Sequence, residues 1–257
     1  MTRIPTLFIG QNRLAFPELD STNQYALELL SKIKPSEGTV ISADFQHQGR
    51  GQIGSGWHSA PHQNLLFSCI LYPHFLPVRH QFQLSQAVAL AICETVQYFV
   101  QAEVKIKWPN DIYIQDKKVA GILIQNALHG KQILNSVIGV GLNVLQKTFP
   151  EVLPNPTALA HWTDQALDLE AVLSVACSNL EKWYLQLKRH QSAFIQQCYQ
   201  EQMYHFAVPV LFQREGEEDS FSGKIVGTTE AGKLMVESSA GLQTFAPKEL
   251  RFIHTES

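Results

Sequence analysis

Gln46-His-Gln-Gly49-Arg50-Gly51-Gln52-Ile-Gly54-Ser-Gly56-Trp57 places four glycines within eight residues, between two stretches with strand character. Glycines at that density remove Cβ atoms and let backbone N–H groups approach an anionic ligand closely. Arg50 is the only cation of the run, so the stretch suits a phosphate or a carboxylate. Gly49-Arg-Gly51-Gln-Ile-Gly54 also satisfies the dinucleotide fingerprint G-x-G-x-x-G, which has meaning only where a strand precedes it and a helix opens from it. A strand is expected over Thr39 to Gln46. Gly56, Pro61 and the apolar run Leu65 to Leu71 then point to a second strand in place of a helix. The nicotinamide reading fails on that context. A kinase-like glycine loop lacks its His-Arg-Asp and Asp-Phe-Gly companions, and no Gly-Lys-Ser/Thr of a P-loop occurs. Alone, the run reads better as a flexible surface loop; the rest of the chain reverses that reading.

The chain of 257 residues, 45% hydrophobic and 17% charged, has room for one large unit, or a large and a small one, around a buried core. A net charge of −3 speaks against a dedicated nucleic-acid binder while allowing a local cationic pocket. Cys69, Cys93, Cys177 and Cys198 are widely spaced and read mostly as core. No His/Cys pattern of a zinc site is present, so no zinc and no prosthetic group is expected. Met1 to Gly10 is too short an apolar run for a signal peptide, and no stretch is apolar enough to span a membrane. The chain reads as cytoplasmic and reduced.

Along the chain, Ser21 with Gln24 predicts a capping box, with Leu19 and Tyr25 as the hydrophobic staple, for a helix that Pro35 closes. Ser21, Thr22 and Asn23 also offer a hydrogen-bonding wall at its start. A strand is expected over Asn64 to Tyr72 and a core helix over Ser85 to Val100. Lys107-Trp-Pro-Asn110-Asp111 breaks a strand pair at Pro109, and its amide and carboxylate at a loop tip suit Mg²⁺ or phosphate. Lys117 and Lys118 follow a turn into a strand reaching Gln125, and alternation allows at most one of them into a pocket. Ile133 to Val144 ends in Gly139-Val-Gly141-Leu-Asn143, where small residues admit a flat ligand to the backbone and Asn143 offers an amide. Pro150 to Asp164 reads as a connection, and Asp168 to about Tyr204 as one or two helices. From Val208 the pattern changes to five short strands in about fifty residues, the sign of a small barrel.

Asp20-Ser-Thr-Asn23, the glycine run, Lys107-Trp-Pro-Asn-Asp111, Lys118-Val-Ala-Gly121 and Gly139-Val-Gly-Leu-Asn143 occur in this order over about half the chain. Together they resemble the bacterial biotin protein ligases. The resemblance implies an α/β (α+β) fold: a mixed, mainly antiparallel sheet with flanking helices, like that of class II synthetases, over 1–206, and a small SH3-like barrel over 207–257. It implies activation of biotin by MgATP to biotinyl-5′-adenylate, then transfer to a lysine of a biotin carboxyl carrier domain. It assigns Lys118, Arg50 and Asp111 to catalysis, with Asp111 on the magnesium side. Ser21, Thr22, Asn23, Gln46, Arg50, Gly51, Gln52, Lys118 and Gly121 would meet biotin. Gly49, Arg50, Trp57, Asn110, Lys118, Gly141 and Asn143 would meet ATP or the adenylate, with the loop and Trp57 closing to exclude water.

Two departures stand out. The family's usual Gly-Arg-Gly-Arg reads Gly-Arg-Gly-Gln52 here, which removes a fixed charge and predicts a more easily released adenylate unless another cation, such as Arg251, reaches the site. Some members carry a helix-turn-helix unit and act as repressors; Asp20 comes almost at once here, so neither that role nor nucleic-acid or membrane binding is expected. A homodimer through the sheet edges is compatible with the pattern. Three other readings compete. A lipoate or octanoate ligase would carry Arg-Arg-x-x-Gly-Gly-Gly, which is absent. A non-catalytic biotin sensor could lose Lys118 or Asp111, and both are present. An interaction protein acting through the barrel would leave the polar loops upstream unexplained.

Overall fold

The computed structural model describes residues 5–52 and 56–253. Ile53, Gly54 and Ser55 of the glycine run lie outside the described residues, as do 1–4 of the amino-terminal stretch. Seven strands make one sheet: β1 (Arg13–Leu19), β2 (Val40–Gln46), β3 (Asn64–Leu71), β4 (Val104–Lys107), β5 (Asp111–Ile114), β6 (Lys117–His129) and β7 (Gln132–Asn143). Their order is β1-β2-β3-β7-β6-β5-β4, with β1 and β2 parallel and every other neighbouring pair antiparallel. This is the mixed, mainly antiparallel sheet that the family resemblance implies.

Side chains alternate across the pleat, which assigns each strand position to one of two faces. Leu65, Phe67 and Cys69 of β3 and Ile138 and Leu142 of β7 enter one core together with α2 (Gln81–Phe99) and α3 (Leu169–Lys188). Ile41, Ile70 and Val137 point the other way, onto Ala26 of α1 (Thr22–Lys32). Because both faces are covered, β3 is buried at every position and reads as a continuous apolar run. Further along the α1 face, β7 carries Gly139, Gly141 and Asn143, and Gly121 of β6 pairs with Gly141. The first turn of α1 reaches Gly139, where a Cβ would strike the Asn23 amide. Beyond that point the face is left as a cavity.

The capping box does not form. Ser21 takes the N-cap position with extended backbone, but its hydroxyl makes no capping bond. The Thr22 N–H instead donates to Gln46 Oε1 at 2.7 Å, so a side chain from β2 satisfies the helix start. Gln24 turns to Glu28 and to Arg50. β1 was not foreseen; Pro17 disrupts its strand signal, and such a proline is tolerated because β1 is an edge strand. α2 starts at Gln81, earlier than Ser85. The region after Asp168 holds two helices, α3 and α4 (Ser192–Gln202), and Asp168 caps α3 through Glu170 N and Ala171 N.

The carboxy-terminal strands β8 (Pro209–Arg214), β9 (Ser220–Thr228), β10 (Leu234–Ser238), β11 (Gly241–Phe245) and β12 (Leu250–Ile253) form a separate antiparallel sheet, ordered β11-β10-β9-β8-β12. Phe212, Ile225 and Val236 continue the main core. The Trp108 indole N–H donates to Gly232 O at 2.9 Å, tying this sheet to the β4–β5 turn. None of the four cysteines lies in a disulfide, and burial pushes the Cys93 thiol up to about 12, so it behaves as core. No helix among the described residues is long and apolar enough to cross a membrane.

Glu181 of α3 is buried, and its carboxylate accepts from Leu7 N, Phe8 N and Ile9 N at 2.6, 2.7 and 2.9 Å. Glu181→Ala strands three donors at once. It is expected to cost about 3 kcal/mol, lowering Tm by roughly 6–12 °C in thermal unfolding. An unchanged Tm would show that these bonds add nothing.

Candidate active site

One cavity of about 330 Å³ opens on the glycine-bearing face of the large sheet. Its lining gathers every residue that the family resemblance assigns to catalysis or binding except Gly49: Ser21, Thr22, Asn23, Gln46, Arg50, Gly51, Gln52, Trp57, Asn110, Asp111, Lys118, Gly121, Gly141 and Asn143. Gly49 stands behind the lining. Its carbonyl accepts from Trp57 N at 2.9 Å, and a Cβ there would come within 2.4 Å of Trp57 O, so it permits the loop to fold back on itself.

At one end is a neutral hydrogen-bonding wall whose proton positions follow from geometry. Asn23 Nδ2 is 2.9 Å from Gln125 Oε1 and 3.4 Å from Leu123 O, and the backbone carbonyl fixes the amide orientation. Asn23 Oδ1 therefore accepts, and its donor is Ser68 Oγ at 2.6 Å. Ser68 Oγ is also 2.7 Å from Thr22 Oγ1. A hydroxyl has one proton, so Ser68 gives its own to Asn23 and receives the proton of Thr22. Thr22 Oγ1 is left to accept from a ligand N–H. Gln46 Oε1 is held by Thr22 N–H, which leaves the Gln46 amide nitrogen as a donor. Asn23 faces the cavity with both its polar atoms already engaged, and so positions Thr22 through Ser68.

In the middle lies Lys118. Gly121 faces the cavity, and strict alternation back from it would select Lys117. A register shift between β5 and β6 intervenes: Ala120 pairs with Ile112, and Lys118 with Tyr113. Val119 and Ala120 both enter the core, Lys117 is exposed, and Lys118 turns inward. Its backbone is clamped by the connection after β7, with Lys118 N donating to Asn155 O at 2.7 Å and Thr157 N to Lys118 O at 2.8 Å. Lys118 Nζ lies 2.7 Å from Asp111 Oδ1 and 5.8 Å from the centre of the Trp57 ring. Arg50 is exposed, with Nη1 donating to Gln24 Oε1 at 3.1 Å.

At the far end, Gly121 and Gly141 floor a flat slot. A Cβ at Gly141 would come within 2.3 Å of the Trp57 indole, and one at Gly121 within 3.0 Å, so only glycine leaves room for a ring there. Asn143 Nδ2 donates to Thr157 O at 2.9 Å, while Asn143 Oδ1 is buried without a partner, as is Trp57 Nε1. Buried unpaired polar atoms each cost about 1–3 kcal/mol and are tolerated where a ligand completes them.

The Lys107–Asp111 stretch divides its work. Lys107 Nζ sits over the Tyr113 and Phe252 rings at 4.7 and 4.9 Å, and burial holds its pKa below the usual lysine value. Asn110 Nδ2 donates to Ile122 O at 2.6 Å and locks the turn. Of this stretch, only Asp111 brings charge to the cavity. Among the described residues no group of three or more His, Cys, Asp or Glu side chains is placed to hold a metal ion. Arg251 does not reach the site; it pairs with Glu215 at 2.7 Å. The sequence reading missed the wall formed by Phe149, Leu153, Pro154 and Pro156, as well as His58 and Lys248. Only the proline richness of 150–156 signalled a rigid segment.

A hydrogen-bonding wall, a central lysine and a glycine-floored slot meet in one cleft, a shape and chemistry suited to a polar heterocycle and a flat aromatic group on either side of an anion. Residues 15–143, just over half of the chain, match the biotin/lipoate A/B protein ligase family, and the chain belongs to that family. It is 29% identical to the bifunctional ligase/repressor BirA of Bacillus subtilis over 93% of this chain and 74% of that protein. It is 28% identical to the biotin–[acetyl-CoA-carboxylase] ligase of Paracoccus denitrificans over 91% of this chain and 97% of that one. In three dimensions it resembles the biotin protein ligase of Aquifex aeolicus in complex with biotin and ATP, with TM-score 0.77 and 26% identity, over 95% of this chain and 100% of that one.

Proposed function

We propose that the protein is a biotin–protein ligase that activates biotin with MgATP and transfers it to a lysine of a biotin carboxyl carrier domain. The observation that carries this reading is Lys118, held between a wall that accepts an N–H and donates to a carbonyl and a slot that admits a flat ring. A ureido ring presents those two complementary groups to Thr22 and to Gln46 and Ser21. A purine fits the slot, with an amino group for Asn143 Oδ1. A carboxylate oxygen of biotin attacks the α-phosphorus of ATP, the bond to the bridging oxygen breaks, and pyrophosphate leaves. The carrier lysine then attacks the acyl carbon, releasing AMP and a proton. Both substrates are anionic where they meet, and Lys118 with Arg50 offsets the repulsion. Magnesium enters with the nucleotide; Asp111, already paired with Lys118, is the carboxylate on the cavity wall to meet it.

We read 1–206 as the catalytic unit and 207–257 as the second, a division supported by the separate sheet that begins at β8. The net charge of −3 supports a protein that does not bind nucleic acid, and four cysteines outside any disulfide support a reducing, cytoplasmic setting. The edge strand β1 is compatible with a dimer, whereas the β4 edge is met at Ile106 by Met203 and Tyr204. Incubation with biotin, MgATP and a carrier domain is expected to add one biotin to the carrier, and none when its acceptor lysine is arginine. Modification by lipoate in place of biotin would overturn the reading.

Gln52 lines the cavity where a fixed charge would retain the adenylate. Gln52→Arg is expected to slow adenylate escape about tenfold, as a charge-assisted hydrogen bond would. Diffuse biotinylation of bystander proteins should fall accordingly. Equal labelling by both forms would rule this out.

A further inference from the structure

We infer that Gln125, on β6 beyond the end of the cavity, is a specificity-determining residue for biotin: it sets the direction of a hydrogen-bond chain through Asn23 and Ser68 and thereby makes Thr22 an acceptor. This rests on the ligase reading above. Gln125 is half-buried and is not on the cavity lining, so it acts on the ligand only through other side chains.

The chain is laid across neighbouring strands. Ser68 of β3 pairs with Gly139 of β7, and Gly139 with Leu123 of β6, so the three form one rung of the sheet. The Asn23 amide, carried by the first turn of α1, lies over that rung; a Cβ at Gly139 would come within 2.2 Å of Asn23 Oδ1, so the glycine makes the seat. Gln125 is one rung further along, opposite Val137 and on the face that α1 covers. Asn23 Nδ2 has two protons to give. One goes to Gln125 Oε1 at 2.9 Å, an ordinary hydrogen-bond length, and the other to Leu123 O at 3.4 Å, beyond the usual range. Gln125 is therefore the stronger of the two acceptors that keep Nδ2 on the β6 side and Oδ1 towards Ser68. From there every proton is directed: Ser68 gives its own to Asn23 Oδ1 at 2.6 Å and takes that of Thr22 at 2.7 Å. A chain of neutral groups of this kind has two possible directions, and the bonds along it reinforce one another. An acceptor at 125 selects the direction that turns the Thr22 lone pairs to the cavity. A donor there would select the other: the Asn23 amide turns over, Nδ2 donates to Ser68, Ser68 donates to Thr22, and the Thr22 O–H points at the ligand. A ureido N–H is complementary to the first arrangement and opposed by the second.

The full chain with Gln125→Glu, Gln125→Ala, Gln125→Lys and Gln125→Arg tests this by calorimetry with biotin and with the two cyclic carbamates in which one or the other ureido N–H is replaced by oxygen. Gln125→Glu keeps an acceptor and should bind biotin within about threefold of wild type. Gln125→Ala leaves only Leu123 O to hold the amide and should weaken biotin about three- to fivefold. Gln125→Lys and Gln125→Arg put a donor in its place and should weaken biotin about a hundredfold. They should also favour, over biotin, the carbamate whose oxygen faces Thr22, which the wild type binds more weakly than biotin. A merely structural residue would weaken every ligand in proportion. NMR of the ligand-free protein reads the same reversal without a ligand: the Asn23 side-chain NH2 protons should lie near the Gln125 side chain in wild type and near the Ser68 Hβ protons in Gln125→Lys. Parallel losses for all ligands, or an Asn23 amide that does not turn over in Gln125→Lys and Gln125→Arg, would overturn the proposal. If the wild type binds neither biotin nor the carbamates, the ligase reading fails, and the NMR comparison still decides the role of Gln125.

Discussion

Lys118→Ala is expected to lower biotin-dependent adenylate formation by about 10²- to 10³-fold while leaving the fold intact, the size of effect seen when one preorganised group facing developing charge is removed. The loss has two parts. The ammonium no longer offsets the two anions, and Asp111, 2.7 Å from Lys118 Nζ in the wild type, is left as an uncompensated negative charge on the cavity wall. Lys118→Ala combined with Asp111→Asn should therefore recover part of the loss if Asp111 acts mainly through the pair. No recovery would instead favour a separate role for Asp111 on the magnesium side. Lys118 is only partly buried, with 31% of its side chain exposed, so the pair itself adds little stability and Tm should change little. A rate within a few-fold of wild type in a single-turnover assay would remove Lys118 from the chemistry.

Thr22→Val is expected to weaken biotin by roughly 30- to 150-fold, or about 2–3 kcal/mol, measured by calorimetry without nucleotide. Valine keeps the volume but deletes the acceptor for a ligand N–H and the proton that Ser68 receives. The proton bookkeeping also predicts an effect at a residue with no place on the cavity lining. Ser68→Ala frees the Thr22 hydroxyl to rotate and leaves Asn23 Oδ1 without its donor, so biotin should weaken in the same direction by less, about five- to tenfold. Unchanged affinity in Ser68→Ala would mean that the chain Thr22–Ser68–Asn23 does not orient the acceptor.

Much of this site was legible because its residues announce unusual backbone needs. Gly139 and Gly141 read as places where something flat meets the main chain, and the Trp57 ring lies against Gly141. Several single strands and the second set of short strands followed from runs of apolar residues and their turns, whereas the mixed sheet was implied by the family resemblance. Contacts between segments far apart in the chain were not legible. Gln24 read as a cap because the capping box is a local pattern, whereas its use is to hold Arg50, and Gln46 supplies the cap instead. Lys117 and Lys118 could not be separated from alternation alone, since the shift between β5 and β6 that turns Lys118 inward depends on pairing with another strand. Lys248 was hidden for the same reason: nothing in Ala246-Pro-Lys-Glu249 indicates that this turn faces a cleft in the other sheet. Arg251 was the more plausible cation by type, and its pairing with Glu215 takes it away.

ATP–pyrophosphate exchange by the purified protein, with MgATP and either biotin, lipoate or octanoate, tests the central claim most directly. Exchange that requires biotin and is absent with the two fatty acids is the predicted result, because the proposal assigns Thr22, Ser21 and Gln46 to a ureido ring that neither fatty acid carries. Exchange driven by lipoate or octanoate, or none at all while biotin still binds, would contradict it.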